Sequence, residues 1–127
     1  MSISGREMEK LLQEFSDNTE GVLGCSIILA KDALMLAEIS QKYDSMVIQW
    51  LSERILSMAK ESLKQLMNDY QLQSVTIEEE NHLIFLRPVG TEYYLVFILN
   101  KEENRGLIEY NIKRLQKKFS KALGIQE

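Results

Sequence analysis

The chain is sparing with the residues that usually announce chemistry: in 127 residues it holds one cysteine, one histidine, one proline and one tryptophan. A single cysteine excludes an intramolecular disulfide framework. One histidine beside it cannot supply the three or four clustered ligands of a zinc centre, so no metal is expected. There is no GxxxxGK[ST] loop and no GxGxxG, so neither glycine-rich phosphate cradle is encoded and no cofactor is expected. No apolar run approaches the roughly 20 residues of a membrane span, and no basic-then-apolar leader is present, so the expected compartment is the cytoplasm, with no integral membrane segment. A dominant charge sign is missing too. The 15 basic and 19 acidic residues are intermixed for a net charge of −4, which is no footprint of a nucleic-acid binder. Repeats, low-complexity tracts and Pro/Gly/Ser linkers are absent, and the length fits one domain over residues 1–127.

What the sequence does hold is most patterned between Asn81 and Asn100. His82 to Arg87 and Glu92 to Leu99 are rich in aromatic and branched residues, and Pro88, Val89, Gly90 and Thr91 separate them, which predicts an antiparallel hairpin. In its second strand Tyr93, Leu95, Phe97 and Leu99 alternate with Tyr94, Val96 and Ile98. Both faces are apolar, so something must cover each. The segment 22–30 is likewise nearly all apolar and reads as a buried strand, turning at Lys31 and Asp32 into a strand over 34–39. Val75 and Ile77 alternate with Thr76 and Glu78, the mark of an edge strand over 73–79.

Three helices are predicted to cover the sheet. Met8, Leu11, Leu12 and Phe15 form one stripe behind a Ser4/Glu7 capping box, giving a helix over 5–16. From 44 to 69 there is neither Gly nor Pro, which makes a helix of roughly seven turns. At 100° per residue, Val47, Ile48, Leu51, Ile55, Met58, Ala59, Leu63 and Leu66 fall on its sheet-covering face. Trp50, Tyr43 and Met46 project to the other side, among Glu53, Arg54, Ser57 and Glu61. A polar loop over 101–104 precedes the last helix, capped by Asn104 and stopped by Gly124, with Ile108, Ile112, Leu115 and Phe119 inward. The predicted order is α-β-β-α-β-β-β-α: an α/β (α+β) three-layer sandwich. Its five-stranded, mainly antiparallel sheet carries the long helix on one face and the two terminal helices on the other.

Reactive groups find no company in this pattern. Cys25 falls inside a buried strand run, where a thiol behaves as a small hydrophobe, and His82 opens a different strand. Glu78, Glu79 and Glu80 point to alternate sides of a strand, so they cannot converge on one ion. Lys113, Arg114, Lys117 and Lys121 lie on the outer face of the last helix, with no interleaved aromatics for base stacking. No catalytic residue is predicted, and the chain reads as a non-enzyme.

Four signatures, in this order and at these separations, give the chain a resemblance to the Roadblock family, the dynein light-chain type domain of small-GTPase scaffolds. They are Gly21-Val22-Leu23-Gly24 opening the first strand, the Lys31-Asp32 turn, Pro88-Val89-Gly90 after Ile84-Phe85-Leu86-Arg87, and Asn104-Arg105-Gly106-Leu107 opening the last helix. Ala33 departs from the family, which usually has glycine there. The resemblance covers residues 11–123. It implies a homodimer, or a heterodimer with a related domain, in which the long helices pair side by side and the third strands join into one sheet. It also implies a function: a non-enzymatic dimeric scaffold that binds, and regulates or localises, a Ras-like small GTPase. The alternative is a nucleotide-independent adaptor subunit of a motor or trafficking complex. The residues point the same way, since a free strand edge and an off-core tryptophan are both liabilities that one contact would cover. The expected interface is Tyr43, Met46, Trp50, Arg54, Ser57, Val75 and Ile77, with Trp50 as anchor. The competing reading packs Trp50 against a neighbouring loop.

Overall fold

A computed structural model describes residues 3–40, 42–101 and 104–125. Its elements are α1 (Gly5–Asp17), β1 (Val22–Leu29), β2 (Met35–Ser40), α2 (Ser45–Leu66), β3 (Val75–Glu78), β4 (His82–Val89), β5 (Tyr93–Asn100) and α3 (Arg105–Ala122). The five strands form one sheet in the order β2-β1-β5-β4-β3, antiparallel at every neighbour. Pairing of β1 with β5, Cys25 opposite Phe97, joins the two hairpins at the centre.

Local chemistry sets the helix starts. The Ser4 hydroxyl accepts the Glu7 N–H at 3.1 Å while the Glu7 carboxylate accepts the Ser4 N–H at 3.4 Å, the reciprocal box read from the sequence. Asp44 Oδ1 accepts the Met46 N–H at 2.8 Å, and Asn104 Oδ1 accepts the Leu107 N–H at 3.2 Å. At the other end of α3, Gly124 takes φ 71°, the left-handed stop.

The strand alternation then sorts side chains between two cores. On one face α1 and α3 bury Leu12, Phe15, Ile112 and Phe119 against Phe85, Leu95 and Phe97, with the Phe15 and Phe97 rings 5.0 Å apart. On the other, Ile48 and Leu56 of α2 cover Ile28, Leu86, Val96 and Ile98. The three-layer sandwich is therefore observed as predicted. Arg87 straps α3 to the sheet: its guanidinium makes two 2.8 Å hydrogen bonds to the Glu109 carboxylate and stacks over the Phe85 ring at 4.7 Å. Those hydrogen bonds hold the Glu109 carboxyl below its ordinary pKa.

Three expectations need correcting. Pro88 is not in the turn: β4 runs through Val89, with Pro88 opposite Tyr94. It is tolerated there because β3 begins opposite Leu86, so the ladder on that side does not reach Pro88. Secondly, α2 ends at Leu66, not near Asp69. Thirdly, its sheet-facing line is Ile48, Ser52 and Leu56, whereas Val47, Met58 and Leu66 are exposed. Ser52 is fully buried because its hydroxyl donates to the Ile48 carbonyl at 2.7 Å, so a polar residue sits at the centre of the buried face without an unmet bond. The predicted loop over 101–104 includes Glu102 and Glu103, which lie outside the described residues.

Ala33, the departure in the first turn, adopts φ 54° and is buried. The Asp32 carboxylate accepts the Leu34 N–H at 3.4 Å across it, an Asx turn that holds the left-handed residue. A left-handed alanine costs about 1–2 kcal/mol, which burial of its methyl partly offsets.

Candidate functional site

The outer side of α2 carries a run of large apolar groups that no described residue covers. Met46 is 80% exposed, Trp50 55% and Met58 70%, with Val47 half exposed beside them. Val47, Leu51, Arg54 and Met58 recur at alternating steps of four and three, so they form one stripe along the helix. The Arg54 guanidinium lies over the Trp50 indole, 5.0 Å from its centroid.

This stripe runs on to the sheet edge. Leu51 and Ile55 lie over Ile84 of β4, sharing a small apolar space with Val96 and Ile98. Ile84 pairs with Ile77 of β3, and Leu86 with Val75, so both β3 side chains stand on the α2 face. Val75 is half-buried against that core, and Ile77 is 41% exposed. β3 is the last strand of the sheet, and its outer row of backbone N–H and C=O groups has no neighbouring strand among the described residues. An apolar helix stripe and an open ladder therefore share one side of the molecule.

Of the seven predicted residues, Met46, Trp50, Arg54 and Ile77 are exposed on or beside this surface, and Val75 borders it. Tyr43 is not on it. It precedes the helix, packs half-buried against the α2-side core, and its N–H donates to the Ser40 hydroxyl at 3.1 Å. Ser57 is exposed but also lines a shallow depression with Glu53, Lys60 and Ala33, towards the β1–β2 turn. Sequence reasoning missed Val47 and Met58 as surface residues because it assigned them to the core. The heptad-like spacing was the signal that could have found them.

The reactive groups are kept apart. Cys25 is buried, its Sγ donates to the Leu12 carbonyl at 3.7 Å, and burial pushes its thiol up to about 12. His82 lies at the rim, 2.6 Å from the Glu79 carboxylate, whose pKa that contact lowers. Cys25 pairs with Phe97 and His82 with Asn100, so they are about 10 Å apart along β5 alone, beyond hydrogen-bond reach. Glu78 meets Lys101 at 2.6 Å and is also held below its ordinary range. Among the described residues no group of three or more His, Cys, Asp or Glu side chains is placed to hold a metal ion, and no helix is long and apolar enough to cross a membrane.

Solved structures share this architecture. The Roadblock/LC7 domain from Streptomyces avermitilis matches with a TM-score of 0.74 at 13% identity, over 89% of this chain and 94% of that one. Myxococcus xanthus MglB matches at 0.76 and 14%, over 91% and 93%. The gliding protein MglB from Thermus thermophilus matches at 0.76 and 15%, over 98% and 96%. No family model and no curated protein matches the sequence. The chain has the Roadblock/LC7 fold. At these identities the likeness is one of fold.

Proposed function

We propose that this chain is a non-enzymatic, cytoplasmic scaffold that dimerises through α2 and β3, and that the paired helices present a platform on which a Ras-like small GTPase is bound and regulated or localised. One observation carries the dimer: the exposed Val47–Trp50–Met58 stripe and the unpaired edge of β3 lie on the same side, so one two-fold contact covers both. Neither feature suits a free monomer. A ladder edge invites another strand, and contiguous large apolar groups invite association. A stable contact covers about 800 Å² per partner, which one face of a 22-residue helix and a strand edge can supply.

The GTPase half of the proposal rests on the motif resemblance and on the fold shared with MglB, one solved structure of which has a tetrameric arrangement. Nothing in the site requires chemistry from this chain. Arg54 lies over Trp50, a contact that fits a packing cation and gives no ground for reading it as a finger for a partner's phosphate. The test is capture of candidate small GTPases loaded with GDP or with a non-hydrolysable GTP analogue. Preference for one nucleotide state is expected. Equal capture of both, or none, returns the chain to a nucleotide-independent adaptor.

A further inference from the structure

A second surface lies at the end of the sheet, beyond the start of β3. β3 begins opposite Leu86, which leaves the edge of β4 from 87 to 89 without a strand beside it. The chain leaving α2 passes this gap at 70–73, and an open cleft of about 750 Å³ remains between that segment, the β4–β5 turn and α3. Because the gap is at the end of the sheet, helices from opposite faces reach it: Lys60 from α2, and Lys113 and Lys117 from α3.

The lining has three lysines and no carboxylate, in a protein of net charge −4. None of the three ammonium groups has an ion-pair partner among the described residues. Lys60 Nζ instead lies 5.6 Å over the Tyr94 ring, which directs it to this side. Like charges gathered in a concavity raise the local potential, and anions are the species that lower it. Gln116 is fixed in the wall, its Nε2 donating to the Pro88 carbonyl at 2.9 Å, and exposed Tyr70 adds an aromatic surface. The volume is that of a site for a small organic molecule.

We propose that this cleft is a binding site for a small phosphate-bearing anion, held by Lys60, Lys113 and Lys117, with the exposed Tyr70 against its organic part. The charge count carries the anion. The size and Tyr70 carry a ligand larger than a bare ion.

The test is titration of the isotope-labelled full chain with inorganic pyrophosphate and, separately, with ADP, followed by amide shifts at near-physiological salt. Saturable shifts at Gly90, Thr91, Gln116 and Lys117 are expected. A Lys113→Gln/Lys117→Gln variant, its fold checked by circular dichroism, should lose at least about tenfold in affinity, the value of one charge-assisted hydrogen bond. Lys121→Gln, on the same helix but outside the cleft, should lose none. Binding of pyrophosphate alone overturns the role given to the organic part; binding of ADP, alone or more tightly than pyrophosphate, upholds the site. No saturable shift with either probe, or equal effects of the double variant and Lys121→Gln, overturns it. The dimer and GTPase readouts are independent of this outcome.

Discussion

If the proposed dimer forms through α2 and β3, replacing Trp50 with alanine should dissociate it while leaving the protomer folded. A tryptophan side chain presents up to about 250 Å², and with 55% of Trp50 exposed roughly 140 Å² is available to a partner. At ~25 cal/mol per Å², covering all of it is worth about 3.5 kcal/mol, and covering a little over half about 2 kcal/mol. A two-fold contact counts the residue twice, so the variant loses about 4 kcal/mol, roughly a thousandfold in Kd. Arg54 also loses its stacking surface, a smaller exposed cation–π contribution of about 0.5–1 kcal/mol. Protomer stability should change little, because the indole is outside both core clusters. Sedimentation equilibrium over a wide concentration range reads the association, and chemical denaturation reads the fold. If wild type and Trp50→Ala sediment alike, as dimers or as monomers, Trp50 is not the anchor and the stripe is not the contact.

Four further outcomes follow from the interior. Ala33→Gly should stay within about 1 kcal/mol of wild type, since relief of the left-handed backbone is offset by the lost methyl and added chain entropy. Ala33→Val should cost more than about 2 kcal/mol in urea melts, because a β-branched residue must take φ 54° in a buried site. On the α2 face of the sheet, Glu38 and Ser26 are cross-strand partners, and Glu38 Oε2 and Ser26 Oγ are buried without hydrogen bonds among the described residues. Burial, with Asp44 nearby, raises the Glu38 pKa above 4.5, so the wild-type fold loses stability as pH rises from 4.5 through the raised value. Glu38→Gln should then gain about 1 kcal/mol at neutral pH, through an amide that can donate to Ser26, and the gain should vanish below the ordinary glutamate range in pH-dependent melts. Cys25, with its thiol pushed up to about 12, should resist thiol reagents at pH 8 in the native protein and react at the rate of opening, accelerating with denaturant. Rapid labelling without denaturant would contradict its burial.

Much of this fold is legible because the deciding interactions are local. The Ser4/Glu7 box, the Asn104 cap and the Gly124 stop each involve residues within four positions, so type and place are visible together. The doubly apolar β5 also forces helices onto both faces before any partner is known. Pro88 misled for the opposite reason. Its place in β4 depends on the pairing with β3 having stopped at Leu86, and the length of a neighbouring strand is not written beside the proline.

The proposed interface surface was legible only in part, and α2 shows why. An ideal wheel admits eight residues to one face, but a helix lying on a sheet buries a narrower line, and the phase of that line is set by Ser52. A serine that satisfies itself on the backbone one turn earlier looks polar in sequence and behaves as neutral filler in the core. Recognising it rotates the buried line onto Ile48, Ser52 and Leu56, which frees Val47 and Met58 for the outer stripe and turns Trp50 from an isolated oddity into one member of a continuous surface. The lysine cleft has no counterpart in any sequence pattern. Lys60 and Lys117 sit on different helices on opposite faces of the sheet, and only the gap beyond β3 brings them to one place. Shortness of a single edge strand therefore has two effects: it admits Pro88 into β4, and it opens a cleft where lysines from both layers meet without a carboxylate in the lining.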